Sequence, residues 1–146
     1  MTYLVDTNVL LRSIQQTHLM HADAERATTL LISQGQELSF IAQNLIEFWA
    51  VATRPAANNG LALSVDETAQ HVATFKETFN LLPDTLDIFL EWERLVARHK
   101  VVGRQAHDAR LVAAMNVHRI THLLTFNTAD FKRYDGITVV SPSSVK

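Results

Sequence analysis

The fold is decided by the stretch Tyr3-Leu4-Val5-Asp6-Thr7-Asn8-Val9-Leu10-Leu11, near the start of a chain of 146 residues. Its first three residues form a short apolar run that predicts a buried strand, and the apolar residues from Val9 onward suit a helix. Asp6 stands between the two elements. A carboxylate there is unfavourable to bury without a compensating charge, so Asp6 is a candidate for function as well as for capping the helix.

Helices and strands alternate along the rest of the chain. Apolar spacing and capping signals predict helices over about 21–33, 45–53, 64–78, 84–99 and 107–118, and strands over 38–41, 80–82, 122–124 and 137–140. This alternation predicts an α/β fold with a central, mostly parallel sheet flanked by helices on both faces. No linker or repeat divides the chain, so residues 1–146 are expected to form a single domain.

Composition excludes several classes of protein. A 47% hydrophobic fraction with only four glycines and three prolines favours a packed core over disorder. The absence of cysteine excludes disulfides, thiolate zinc sites and cysteine nucleophiles. A net charge of -2 means that any nucleic-acid contact requires a local basic patch. No signal peptide or membrane-length apolar segment is recognisable, so we expect a cytoplasmic protein without membrane contacts.

Three acids lie beside predicted core elements. Asp6 follows the first strand, Glu47 lies within an apolar helical run, and Asp108 opens a helix whose next residues are largely apolar. Each has a simpler explanation, as a helix cap, an exposed helix residue or a first-turn acid. Because buried carboxylates need a compensating charge, however, we expect the three to share a divalent cation.

Polar residues in two further places are candidates for the same site. Asn127 and Asp130 follow the strand over 122–124, beyond the carboxyl end where ligands bind in open parallel sheets. Either residue could complete a ring of acids, or the loop could simply form a capping turn into Phe131. Asn8 could orient Asp6 through a side-chain hydrogen bond or act as a local cap.

An acidic ring of this kind predicts a particular chemistry. Oxygen ligands suit Mg²⁺ or Mn²⁺, which activate water and neutralise charge on a phosphoryl oxygen. The expected protein is therefore a metal-dependent hydrolase of phosphate esters. Arg104 and Arg110 lie close to Asp108 in sequence and are predicted to form a rim that holds a nucleic-acid backbone.

Five segments of the chain also resemble those of a known family, the PIN-domain ribonucleases, and in particular the VapC toxins of bacterial VapBC toxin–antitoxin pairs. The segments are LVDTNVLL (4–11), QNLIEFW with the following TRP (43–49 and 53–55), HDARLVAA (107–114), LLTFNTADF (123–131) and VVSP (139–142). Each motif alone is weak. Their order and separation along nearly the whole chain make the set fairly specific.

The resemblance implies a PIN-like three-layer fold, Mg²⁺ or Mn²⁺ as cofactor, and hydrolysis of RNA. It implies Asp6, Glu47 and Asp108 as the main acids. In the ribonuclease that we therefore expect, Asp6 and Asp108 hold the ion, and Glu47 binds it through water or orients the attacking water. Asn8, Thr125 and Asn127 support these acids by hydrogen bonds. The fourth family acid often falls where this chain has Asn127, which leaves a second ion in question unless Asp130 serves. The family also implies a homodimer and a small antitoxin protein that covers the acidic pocket.

Two other functions remain open on the sequence. A phosphatase with Asp6 as nucleophile generally needs an acid two residues later as proton donor, and this chain has Asn8 there. A catalytically inactive PIN-like module that only binds a partner is the other alternative.

Overall fold

The computed structural model describes all 146 residues of the chain, which form five strands, six helices and the segments that connect them. The strands are β1 (Thr2–Val5), β2 (Glu37–Phe40), β3 (Asn80–Leu81), β4 (His122–Leu124) and β5 (Thr138–Val140). The helices are α1 (Thr7–Ile14), α2 (His21–Ser33), α3 (Ala42–Thr53), α4 (Val65–Thr78), α5 (Leu86–His99) and α6 (Gln105–His118). Short 3₁₀ turns lie at Ala56–Asn58, Thr128–Phe131 and Pro142–Ser144.

The predicted elements are all present, and the differences lie at helix starts. Helix α3 begins three residues before its predicted start, because the Asn44 side chain accepts a hydrogen bond from the Ile41 backbone N–H at 2.9 Å. Helix α6 begins at Gln105, so Asp108 lies within its first turn and does not open it. At α4 the capping signal is confirmed: Ser64 and Glu67 exchange reciprocal hydrogen bonds of 3.0 and 3.1 Å.

The five strands form one sheet in the order β3-β2-β1-β4-β5, and every neighbouring pair is parallel. The α/β prediction is therefore confirmed. The chain adds strands to one side of β1 and then to the other, so the winding changes direction between β1 and β4. Val5 pairs with Leu124 there, and the polar residues Asp6 and Thr125 follow directly. Ligand crevices form at such switch points, beyond the carboxyl ends of the strands.

Two apolar layers cover the sheet, one on each face. Val5 and Leu124 point into a core shared with α1, α2, α3 and α4. Their neighbours Leu4 and Leu123 point to the opposite face, against α5 and α6. Side chains of a strand alternate between faces, so two short apolar strands supply both cores. Each such fully buried side chain stabilises the fold by about 1.5–3 kcal/mol.

This arrangement has three layers, with helices on both sides of the sheet. None of the six helices has the length and apolar character needed to cross a membrane. The central strands are held rigidly on both faces, which gives the loops at their carboxyl ends a fixed base.

Candidate active site

Asp6 joins the two central strands at the carboxyl edge of the sheet. Its backbone N–H donates to the Leu124 carbonyl at 2.9 Å, which continues the pairing of β1 with β4. Its side chain is only 7% exposed. One oxygen, Oδ1, accepts from the Thr7 backbone N–H at 2.7 Å, so Asp6 does cap α1. The other, Oδ2, accepts from the Thr125 hydroxyl at 2.7 Å and from Asn8 Nδ2 at 3.3 Å.

Asn8 and Thr125 therefore orient Asp6, as the sequence predicted they could. Asn8 Nδ2 also lies 3.2 Å from Thr125 Oγ1, and Asn8 Oδ1 accepts from the Phe126 backbone N–H at 3.2 Å. These bonds tie the start of α1 to the loop after β4. Asn8 is not a helix cap, since Asp6 has that position.

Glu47 projects from α3 towards the same edge. Its Oε1 accepts hydrogen bonds from the Thr7 hydroxyl at 3.2 Å and from Gln43 Nε2 at 3.3 Å. Buried Asn44 donates in turn to Thr7 Oγ1 at 3.2 Å. Oε2 of Glu47 has no hydrogen bond from the protein, so one oxygen is held in place while the other is left available.

Asp108, Asn127 and Asp130 line one pocket of about 440 Å³ together with Glu47. Arg104, Gln105 and His107 complete its wall, and no apolar residue contributes. Asp6 does not line this pocket, but its charge and those of Glu47 and Asp130 act on Asp108. The structure therefore brings the acids of β1, α3, α6 and the loop after β4 to one place.

The pKa values of Asp6 and Asp108 are raised above those of ordinary carboxyl groups. Burial raises the pKa of Asp6 from 3.8 to about 6, against the lowering effect of the hydrogen bonds from Thr125 and Thr7. Burial also raises the pKa of Asp108 to about 6, and the negative charges of Asp6, Asp130 and Glu47 add to that increase. Both shifts mean that the ionised site is unfavourable without a positive charge nearby.

The protein makes no salt bridge to these acids, and only the charge of His107 opposes the rise in the Asp108 pKa. Its ion pairs are His21–Glu25, Arg26–Asp23, Arg94–Glu91 and Arg110–Asp84, none of which includes an acid of the pocket. The donors are all oxygen atoms, which fits a hard divalent cation. No three Asp, Glu or His side chains are close enough to hold an ion by themselves.

The two predicted rim arginines are in different positions. Arg104 lines the acidic pocket. Arg110 does not, because its guanidinium donates to Asp84 at 2.8 Å and to Gln43 Oε1 at 3.4 Å. Arg110 lies instead beside a neighbouring pocket that shares His107 with the acidic one.

Three residues of the site had no role predicted from the sequence. Gln43 connects Glu47 to α6, because its Nε2 also donates to the His107 carbonyl at 2.9 Å. Asn44 donates to the Thr7 hydroxyl, which in turn donates to Glu47. A polar amide at 44, next to residues that pack in the core, was the one signal that pointed to this network.

A parallel α/β fold with clustered acids at its topological switch point defines a class of α/β proteins whose candidate site lies at the carboxyl edge of the sheet. Within that class this chain belongs to the PIN-domain family, whose model matches residues 3–137. The resemblance to PIN domains predicted from the motifs is thereby confirmed. Among curated protein sequences, none matches this chain significantly.

Several solved structures share the fold across nearly the whole chain. VapBC-1 from nontypeable Haemophilus influenzae is 15% identical with a TM-score of 0.72, covering 99% of this chain and 100% of that one. A toxin–antitoxin complex from Klebsiella pneumoniae is 24% identical with a TM-score of 0.65, covering 96% and 97%. Mycobacterium tuberculosis VapC20, a sarcin–ricin loop cleaving toxin, is 18% identical with a TM-score of 0.64, covering 83% and 86%.

Proposed function

We propose that this protein is a metal-dependent endoribonuclease that hydrolyses RNA phosphodiester bonds and serves as the toxin of a toxin–antitoxin pair. One observation carries the proposal. Asp6, Glu47, Asp108 and Asp130 converge at the carboxyl edge of the sheet, and none of them forms an ion pair with a basic side chain. Such a cluster is stable in its ionised form only with a cation. Membership of the PIN family supports a nuclease.

A Mg²⁺ or Mn²⁺ ion would be held by Asp6 and Asp108, with Glu47 binding through water. When bound, it supplies Lewis-acid polarisation of the scissile phosphate and activation of a water as nucleophile. Asp130 and Asn127 complete the pocket wall, where Asp130 adds charge and Asn127 adds a neutral amide. We propose that Asp130 takes the part of the fourth acid.

The other residues of the site orient the carboxylates, accept a proton or bind the phosphate. Thr125 and Asn8 hold Asp6 Oδ2, which keeps this carboxylate facing one way. Thr7 and Gln43 hold Glu47 Oε1, so Oε2 is the atom that orients the attacking water and accepts its proton. Arg104, on the pocket wall, binds a phosphate of the strand.

The partners follow from the same proposal. RNA is the substrate, so the proposed place of action is the cytoplasm. A small antitoxin protein is the expected inhibitor, since one structural relative is a toxin–antitoxin complex. A homodimer is the expected assembly, as in many toxins of the family.

Cleavage of RNA tests the activity. Wild type is expected to cleave with Mg²⁺ and to lose activity with EDTA, while Asp6→Asn and Asp108→Asn reduce the rate by roughly a hundredfold or more. Asp66→Asn is the matched control, because Asp66 is an exposed acid in the first turn of α4. Equal residual cleavage by wild type and Asp108→Asn would identify a contaminating nuclease and refute the assignment.

The two other functions give different results in the same assay. An inactive binding module would bind RNA or a protein partner with Mg²⁺-independent affinity and would not cleave. A phosphatase with an Asp6 nucleophile would yield a trapped phospho-aspartate. The residue at position 8 disfavours that chemistry, because Asn8 has no acidic proton to give.

A further inference from the structure

A second pocket, of about 280 Å³, adjoins the acidic one. Phe89 and Trp92 of α5 line it together with Ala106, His107 and Arg110 of α6. We refer to it as the aromatic pocket. His107 lines both pockets, and the next residue along the chain is Asp108, whose Cα is about 3.8 Å away. A strand with a phosphate at the acids therefore has its adjacent nucleotide within reach of the aromatic pocket.

The aromatic walls of this pocket are fixed and partly exposed. The rings of Phe89 and Trp92 lie 5.7 Å apart at 35°, and Phe89 is 48% exposed. The Trp92 indole N–H donates to the Ala106 carbonyl at 2.8 Å, which anchors the ring and satisfies its single donor. What these two side chains present to the pocket is apolar ring surface.

The charge on Arg110 is already compensated. Its guanidinium is 2.8 Å from Asp84, and Gln43 accepts a second hydrogen bond. A guanidinium held in this way offers a flat face suited to stacking, with less free charge for a phosphate. The free cation of this region is Arg104, which lines the acidic pocket and forms none of the ion pairs.

We propose that the aromatic pocket binds a nucleobase of the RNA strand whose phosphate lies against the acids. The inference rests on the proposed ribonuclease function and adds a subsite to it. The occupant is a flat ring, because the walls offer aromatic faces, the His107 ring and a guanidinium that is already paired with Asp84. Stacking of this kind tolerates any base, so Phe89 and Trp92 contribute affinity and position more than sequence selection.

Binding without cleavage tests the subsite directly. The probe is a fluorescein-labelled short oligoribonucleotide of mixed sequence, compared with an oligomer of equal length that has the same backbone and no bases. Affinity is measured by fluorescence anisotropy in an Asp108→Asn background, which is designed to prevent hydrolysis. Phe89→Ala is expected to weaken binding of the base-bearing oligomer roughly 5- to 100-fold and to remove most of its preference over the abasic one.

Leu90→Ala is the matched control. Leu90 follows Phe89 on α5 and is 51% exposed, but it lines a separate groove with Asp87 and Glu91. Its replacement removes a similar exposed apolar side chain from the same helix, and the affinity of this variant for RNA is expected to stay within about twofold, because Leu90 lines neither the acidic nor the aromatic pocket. Phe89→Leu separates stacking from simple apolar contact, because it keeps bulk and loses the ring.

Fluorescence gives a second readout that does not depend on the Phe89 variant. The chain has two tryptophans, so Trp49→Phe leaves Trp92 as the sole emitter. Addition of the base-bearing oligomer is expected to quench this emission, and the abasic oligomer is expected to leave it unchanged. Quenching by both oligomers alike would overturn the proposal.

The outcomes separate this inference from the proposed function. If wild type cleaves RNA with Mg²⁺ but Phe89→Ala and Leu90→Ala bind it equally, the subsite is refuted and the nuclease remains. If bases quench Trp92 and Phe89→Ala weakens their binding, but wild type never cleaves, the subsite stands and the nuclease is refuted. If Phe89→Ala alters self-association in ultracentrifugation and not RNA affinity, a second copy occupies the pocket and the proposal is overturned.

Discussion

The metal-free protein is expected to lose stability as pH rises from 5 to 8, because Asp6 and Asp108 must ionise in the folded state. Each has a folded pKa of about 6 in place of 3.8. A raised folded pKa contributes stability that is fully present below the unfolded pKa and lost as pH rises through the folded one. The window of loss therefore runs from about pH 4 to about pH 7.

The magnitude follows from the two pKa values of each acid. For Asp6, linkage gives a loss of about 1.4 kcal/mol between pH 5 and pH 8. Asp108 is only half-buried, so solvent screening reduces its share to about half of that. Together the two acids lower the free energy of unfolding by about 2 kcal/mol over this interval. Because their repulsion is mutual, the two titrations are coupled, and neutralising one acid also relieves the other.

Asp108→Asn isolates the effect, since no side-chain hydrogen bond of Asp108 is lost. The variant is expected to have a higher free energy of unfolding than wild type, and the difference is expected to be about 1 kcal/mol larger at pH 8 than at pH 5. The measurement is urea unfolding in EDTA at both pH values and constant ionic strength, followed by circular dichroism. Asp66→Asn, with the same charge change in the first turn of α4, should shift stability equally at both pH values.

Two results would refute this reasoning. In the first, the stability of wild type is constant or rises from pH 5 to pH 8, and Asp108→Asn behaves identically. This result would mean that burial does not destabilise the ionised acids. An equal pH-dependent gain in Asp66→Asn would mean that net charge alone, and not the pocket, is responsible.

Three further variants test other contacts of the site. Thr125→Val removes the 2.7 Å hydrogen bond to Asp6 and should lower the free energy of unfolding by about 1.5–3 kcal/mol at pH 8 and by less at pH 5. Thr125→Ser keeps this hydrogen bond and is the control, and urea unfolding measures both variants. Asn127→Asp adds a carboxylate to the acidic pocket and should tighten Mg²⁺ binding in calorimetry while lowering the metal-free melting temperature. Gln43→Ala removes one of the two hydrogen bonds to Glu47 Oε1 and should lower kcat by roughly tenfold with little change in KM. The same rate as in the exposed control variant Gln70→Ala would contradict a positioning role.

Much of the architecture was predictable because it depends on local patterns. Short apolar runs between helical periodicities indicated the parallel sheet, and Asp6 followed β1 as expected. The helix starts at Ala42 and Gln105 were less predictable. The earlier start of α3 depends on a hydrogen bond that the Asn44 side chain accepts from the Ile41 backbone N–H, and apolar spacing does not reveal such a bond.

The candidate site was predictable only as a set of residues, not as an arrangement. Asp6, Glu47 and Asp108 could be nominated because each is a carboxylate next to a core element. Arg110 shows the limit of that reasoning. Its nearness to Asp108 in sequence suggested a phosphate contact, yet its partner is Asp84, 26 residues away.

By itself, the sequence determined the order of strands and helices, the apolar faces that bury them, and the acids that stand at their ends. These properties depend on residues adjacent in the chain or one helical turn apart. Which acids meet, and how far burial raises their pKa values, depended on the tertiary structure. The same is true of the hydrogen bonds from Gln43 and Thr7 to Glu47, and of the aromatic pocket beside the acidic one. The reason is physical: burial and electrostatic repulsion depend on distances through space, and the folding of remote segments against one another sets those distances.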